Sequence, residues 1–390
     1  MPLISVITPV FNNERYIKNV ARSVLQQSFR DIEYIIVDDG STDNTPKIVD
    51  EIAEKDTRVK AIHQENQWIF ASYNNGIRAA QGEYIYIVNS DDILRKGSLE
   101  LMAERVYSNR PDVIWTPVLA HQCDSEQNIL KYDYLGFEKL VEKDEFYQTK
   151  EQVRKEWYKF DKMQLSSNQC NLYKRELALK HPFQNNYYGA DYLFNIQIAN
   201  DVETAYVMHT PVYDFMNYQS DSMNTSIGKY YEYEHEMRNL FYIENKKLYE
   251  KWNQWEGETK QYISRRRLRG WSGELNALNS EKCKISLENK IEKIMFDVQD
   301  EIIESCVQVL EANEELECRT LSGIRNILIN EKLDETSNYY FIYELLDSLT
   351  RYEKTEDDYK KIENAINHPL NKARIGQVLY QKISDKKYLF

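Results

Sequence analysis

The chain has 390 residues, 42% of them hydrophobic, which is enough to bury a substantial core and long enough for two or three domains. Its 50 basic residues stand against 63 acidic ones, and the resulting charge of -13 excludes a general nucleic-acid binder, which needs a basic footprint to displace counterions. The five cysteines, at 123, 170, 283, 306 and 318, are odd in number and contain no CxxC, so neither a disulfide framework nor a zinc centre is indicated.

The first 120 residues alternate between two periodicities. "LISVITPVF" is a β-branched run with strand character, and "NERYIKNVARSVLQQSF" then sets Ile17, Val20, Val24 and Leu25 on one helical face. The strand "IEYIIVDDG" follows, then a helix in "NTPKIVDEIAEKD" with Thr42, Asp43 or Asn44 as its N-cap and Pro46 in its first turn. "VKAIHQ" reads as a short strand, "YNNGIRAAQ" as a helix and "EYIYIV" as a strand. Such alternation specifies a mostly parallel sheet with helices on both faces, whose ligands lie beyond the carboxyl ends of the strands.

Three loops at those ends are chemically loaded: Thr8 to Asn12, Asp38 to Ser41, and Asn89 to Asp92. A carboxylate delivered to a sheet edge can hold a divalent cation, and the cation can neutralise a diphosphate on its other side. The bland alternative is that Asp91 and Asp92 cap the next helix while Asp38 and Asp39 shape a turn.

Seven of the eight prolines fall at or before Pro211, and from residue 230 onward the chain is rich in Glu, Lys, Leu, Ile and Tyr, which predicts a helical C-terminal region. Within it "IEKIMFDVQDEIIESCVQVLEAN" has amphipathic spacing. "SRRRLRGW", residues 264 to 271, is the dense basic cluster, either a solvated helix face or a patch for anionic lipid or a phosphate-bearing acceptor. His209, flanked by apolar residues, is read as a core histidine rather than a metal ligand. No apolar run reaches the length of a membrane span and no basic-then-apolar leader opens the chain, so the expected location is cytoplasmic, with peripheral contact at the inner face of the cell membrane left open.

The stretch "ISVITPVFNNERYIKNVARSVLQQSFRDIEYIIVDDGSTDNT", followed by "NNGIRAAQGEYIYIVNSDD", resembles the family two glycosyltransferases of GT-A fold, and the likeness extends from residue 3 to about 226. It implies a Rossmann-like catalytic domain over 1–228 and leaves 229–390 as a mainly helical region for acceptor binding, oligomerisation or membrane association. The implied reaction is inverting transfer of a sugar from a nucleotide diphosphate, with a UDP-sugar expected, to a hydroxyl of a glycan, lipid-linked or protein-linked acceptor in bacterial surface polysaccharide synthesis. By the same resemblance Pro9, Phe11, Asp39, Asn66, Asn89 and Ser90 border the nucleotide, Asp91 binds Mn²⁺ or Mg²⁺, and Asp191 is the catalytic base.

Four positions depart from the family pattern. Asn89 stands for the usual Asp, Ala190 for a Glu, and Tyr73 and Met216 for basic residues that would face the diphosphate, for which Arg78, Lys174 or Arg175 are candidate replacements. The alternative reading is a degenerate nucleotide-sugar-binding or scaffolding protein whose helical region does the work. A nucleotidyltransferase is disfavoured because the first loop lacks a Gly-rich, Lys-containing phosphate cradle.

Overall fold

A computed structural model of the chain describes residues 1–124, 126, 128–134, 142–162, 168–184, 189–218, 230–278, 280, 283–286, 289–290, 293, 297, 300–310, 356–357 and 360. The chain divides into two compact units, Met1–Met223 and Asn224–Phe390. The expected boundary at 228 falls outside the described residues, as do Cys318 and much of the helix expected over 291–313.

In chain order the first unit contains β1 (Ile4–Val10), α1 (Ile17–Leu25), β2 (Ile32–Asp38), α2 (Thr45–Lys55), β3 (Val59–His63), α3 (Ile69–Ala79), β4 (Tyr84–Ile87), β5 (Ile93–Leu94) and α4 (Ser98–Asn109). It continues through β6 (Val113–Trp115), β7 (Val118–Cys123), β8 (Ile129–Tyr134), β9 (Glu145–Tyr147), α5 (Lys150–Lys162), β10 (Leu172–Lys174), α6 (Arg175–Lys180), α7 (Ala190–Ile198), β11 (Ala205–Val207) and β12 (Tyr213–Tyr218).

Every residue of β1 is buried, as expected of a strand covered on both faces, where a continuous apolar run replaces alternation. It runs parallel to β2 on one side and β4 on the other, and β3 extends the parallel set beyond β2. The larger sheet then continues through β10, which is antiparallel to β4, giving the order β3-β2-β1-β4-β10-β6-β11-β9. A second sheet, β5-β12-β7-β8, carries the last strand of the unit.

The helices follow the sequence pattern closely. α1 buries Ile17, Val20, Ala21 and Val24, an i, i+3, i+4, i+7 stripe facing the core. α2 has Pro46 in its first turn, and Asn44 at the N-cap position makes no side-chain cap, because its amide binds Glu14 while Asp43 Oδ1 accepts the Thr45 N–H at 2.9 Å. α3 begins earlier than expected, at Ile69, and crosses the sheet at Gly76, where a Cβ would stand 2.5 Å from the Ile7 side chain.

The second unit contains α8 (Glu234–Lys251), α9 (Gly257–Leu278) and α10 (Glu301–Val309), with α9 packed against both of the others. The basic cluster is corrected here. Trp271 and Arg267 are buried in the face that α9 turns inward, where Arg267 pairs with Glu274 at 3.1 Å, so they cannot form a lipid-facing patch. No helix among the described residues is long and apolar enough to cross a membrane.

Candidate active site

The loop after β4 shows why two adjacent carboxylates are needed. Asp92 is fully buried and acts structurally: it accepts the Tyr213 hydroxyl at 2.7 Å and the Met216 N–H at 2.8 Å, tying β12 to the end of β4. Burial, reinforced by the neighbouring Asp91 charge, holds its carboxyl well above the usual carboxylate range. Neither aspartate caps the next helix, since the residue before α4 is Gly97 in a left-handed conformation.

Asp91 faces the other way. Its backbone carbonyl accepts the Tyr218 hydroxyl at 2.8 Å, but no side chain among the described residues hydrogen-bonds its half-buried carboxylate. Burial therefore raises its pKa with only its own N–H to oppose the rise. An enclosed carboxylate without a counter-charge suits a hard divalent cation that completes its shell with phosphate oxygens and water. Ser90 is fixed by Asn13, whose amide donates to its carbonyl at 2.9 Å and to its hydroxyl at 2.8 Å.

Tyr73 links this loop to Asp191. The phenol donates to Asn89 Oδ1 at 3.0 Å, and burial, with the charges of Asp191, Asp92 and Asp91, pushes its pKa far up. Its ring packs 5.2 Å from Phe183, which stacks on Phe194 of α7 at 4.3 Å. Asn195 donates to the Asp191 carbonyl at 3.1 Å and accepts the Tyr173 hydroxyl at 3.0 Å. Phe194 and Asn195 are thus the groups that seat α7.

Asp191 itself lies in the first turn of α7, where Gly189 and not Asp191 holds the N-cap position. Desolvation pushes its carboxyl up to about 7. Ala190 beside it is buried, so the side chain at that position faces the core.

Asp38 and Asp39 also divide their work. Asp38 accepts the Ser41 N–H at 3.2 Å and binds His63 Nδ1 at 2.9 Å, a turn-forming role. Asp39 accepts Gln64 Nε2 at 2.7 Å and the Gln67 N–H at 2.9 Å, both on Oδ1, leaving Oδ2 without a hydrogen bond among the described residues. The exposed Asn66 is drawn close to this turn: a Cβ on Gly40, which sits at φ +76°, would stand 2.8 Å from the Asn66 nitrogen. Pro9 is buried in β1 opposite Val37, and Phe11, 42% exposed, begins the next loop, where Asn12 bonds Ser41 and Thr42.

The suggested cations lie elsewhere. Lys174 pairs with Asp112 at 2.6 Å and faces Tyr84, at the opposite end of β4, and Arg175 donates to the Gly82 carbonyl. Arg78 ends α3 and binds Asn75. Met216 is buried, and His209 is exposed, with its N–H bonded to Asp144. Tyr73 and Asp92 were invisible to sequence reasoning as organisers, because a buried polar group is recognised by its partners, and Phe183 for Tyr73 and Tyr213 and Met216 for Asp92 stand far away in the chain.

A second group of potential ligands lies in the helical unit, where His235, Glu274 and Asp297 bring ligand atoms within 4.8 Å of one another. Protein cations already occupy that neighbourhood, with Arg267 3.0 Å from His235 Nδ1 and Lys293 3.2 Å from Asp297. The arrangement reads as a buried ion-pair network.

Residues 5–180 match the profile of glycosyl transferase family 2. The first unit belongs to that family. Over 113 residues the chain is 42% identical to the glycosyltransferase GlyG of Streptococcus pneumoniae, covering 29% of this chain and 38% of GlyG, so it spans well under two thirds of that relative. It is 25% identical over 231 residues to the GalNAc(5)-diNAcBac-PP-undecaprenol beta-1,3-glucosyltransferase of Campylobacter jejuni, covering 59% of this chain and 69% of that enzyme. Among solved structures, residues 1–349 of Staphylococcus aureus TarS in complex with UDP share the fold, with a TM-score of 0.58 and 19% identity over 90% of this chain and 93% of that one. The GT-A-like sheet of this family 2 domain thus agrees with the α/β class expected from the strand and helix alternation.

Proposed function

We propose that the chain is an inverting, metal-dependent glycosyltransferase that moves a sugar from a nucleotide diphosphate, with a UDP-sugar as the expected donor, to a hydroxyl of a glycan, lipid-linked or protein-linked acceptor in bacterial surface polysaccharide synthesis. The observation that carries this reading is that Tyr73, bonded to Asn89 in the loop of Asp91 and packed through Phe183 on the helix of Asp191, draws together two carboxylates that no side chain among the described residues hydrogen-bonds. The UDP bound to TarS and the undecaprenol-linked glycan named for the Campylobacter enzyme support the donor and acceptor classes.

In the reaction the acceptor oxygen attacks the anomeric carbon from the face opposite the diphosphate, the bond to the diphosphate oxygen breaks, and configuration inverts. Asp191 takes the proton released by the attacking hydroxyl; a carboxylate whose pKa has risen to about 7 suits a base working near neutrality. Mn²⁺ or Mg²⁺ held by Asp91 would offset charge on the leaving diphosphate. Asp39 Oδ2 is available to accept the imide N–H of a uracil ring, and Asn66 and Asn89 flank the nucleotide path. The helical unit is assigned to acceptor binding, oligomerisation or contact with the membrane surface.

A panel of nucleotide sugars, assayed for nucleotide diphosphate release with Mn²⁺ and with chelator, tests the reading. Metal-stimulated release from one donor, increased by a hydroxyl acceptor, is the expected result. No release from any donor under either condition would leave the scaffolding alternative in its place.

A further inference from the structure

The loop from Asn89 to Asp92 is held at every residue, but not in the same way. Asn89 is fixed through its side chain, whose Oδ1 accepts the Tyr73 hydroxyl at 3.0 Å, and through its N–H, which donates to the Tyr213 oxygen at 3.1 Å. Asn13 fixes Ser90 through its hydroxyl and its carbonyl, while Tyr213 and Met216 fix Asp92 through both carboxylate oxygens. Asp91 differs from all three. It is gripped by its carbonyl, which accepts the Tyr218 hydroxyl at 2.8 Å, and no side chain among the described residues bonds its carboxylate.

Tyr218 is placed for this by distant parts of the chain. It is the last residue of β12 and pairs with Cys123 of β7, and its buried ring stacks on Tyr16 at 4.5 Å with 13° between the planes. Tyr16 is buried too, and it enters α1 from the same segment as Asn13, which holds Ser90. The phenol therefore rests on a fixed neighbour and reaches Asp91 from the strand that also holds Asp92. A ligand of a cation binds best when the groups that fix it leave its donor atoms free, because a carboxylate that must still be ordered loses metal affinity. The bond to the Asp91 main chain meets that condition.

We propose that Tyr218 is a positioning residue for the metal site, its hydroxyl fixing the Asp91 backbone so that the carboxylate stands ready for a divalent cation. The assignment rests on the metal-dependent reading above and adds to it a residue that acts through Asp91. A side chain that served the fold alone would leave the metal requirement where it was, so the two roles have different signatures.

The test is calorimetric titration of UDP into the full chain over a series of Mn²⁺ concentrations, alongside thermal unfolding, for the parent, Tyr218→Phe and Tyr16→Leu. Tyr218→Phe keeps the stacked ring and loses the hydroxyl. The Mn²⁺ concentration that brings its UDP affinity halfway to the plateau should rise about tenfold or more, while the plateau itself stays within about threefold of the parent. Tyr16→Leu keeps the hydroxyl and removes the ring behind it, and should move the same midpoint in the same direction by a smaller factor, so the test stands even if Tyr218→Phe does not fold. A midpoint that every folded variant leaves in place, or an equal loss of UDP affinity at all Mn²⁺ concentrations, would overturn the Tyr218 assignment alone. UDP binding by the parent that is indifferent to Mn²⁺, or absent, would overturn the metal-dependent donor reading and this inference with it.

Discussion

At the scale of single residues, adjacent carboxylates do opposite work. Asp92 is consumed by the fold, while Asp91 is left without a neutralising partner. Asp91→Asn should keep the fold and reduce turnover about a hundredfold or more, the loss expected when several kcal/mol of charge stabilisation disappear. Circular dichroism and NDP-release kinetics check this, and full activity of the parent in chelator would contradict it. Asp191→Asn should spare UDP binding and slow transfer by about a hundredfold, because a base matters chiefly in the transition state. A carboxyl raised to about 7 is protonated below that pH, so kcat/KM of the parent should climb with pH and level off above about 7. The same raised pKa makes the ionised form a burden on folding. Asp191→Asn should therefore raise the thermal midpoint at about pH 8 and have little effect at about pH 3, where the carboxyl is protonated in folded and unfolded chains alike. A thermal midpoint that Asp191→Asn leaves unchanged at the higher pH would show that the side chain is not desolvated.

At the scale of elements, what the sequence made legible was what local pattern determines. The parallel strands β1, β2 and β4 and the buried stripe of α1 are written in runs and spacings, as are the loops that end those strands. The second sheet was not legible, because β5 has two residues and β12 is recognised by its partners rather than its own composition. The seating of α7 through Phe183 and Tyr73 escaped for the same reason, as did Arg267, whose charge suggested solvent until Glu274 and His235 were seen beside it. That network sets a pH dependence for the helices. His235 on α8 meets Glu274 and Arg267 of α9, the nearby Asp297 and Asp300, and, through Glu274, Arg238. Burial opposes its charge, but the hydrogen bonds to Asp300 and Glu274 and the Asp297 charge prevail and raise it to about 8. A raised histidine pKa gives stability that is complete below the unfolded value near 6.5 and lost as pH climbs through about 8, on the order of 2 kcal/mol. Thermal unfolding of the full chain at about pH 6 and about pH 9 should show this loss, and His235→Gln should narrow the difference between the two by that amount. An equal decline in parent and variant would place the titrating group elsewhere.

At the scale of the whole molecule, the two compact units invite separation. A chain ending after residue 230 should remain soluble and bind UDP, because Asp39, Asn66, Asn89, Asp91 and Asp191 all belong to the unit Met1–Met223. Loss of UDP binding in calorimetry would show that the helical unit contributes to the pocket. Within the first unit, the bonds from Asp92 to Tyr213 and Met216 span 121 and 124 positions of sequence. During synthesis, a nascent chain that has emerged only as far as β11 already contains every residue assigned here to nucleotide, metal and proton transfer. It still lacks the strand that answers Asp92, and so holds an unanswered carboxylate beside Asp91 until the ribosome has delivered β12. Competence for the donor should therefore arrive late and abruptly in translation, with the final strand of the domain.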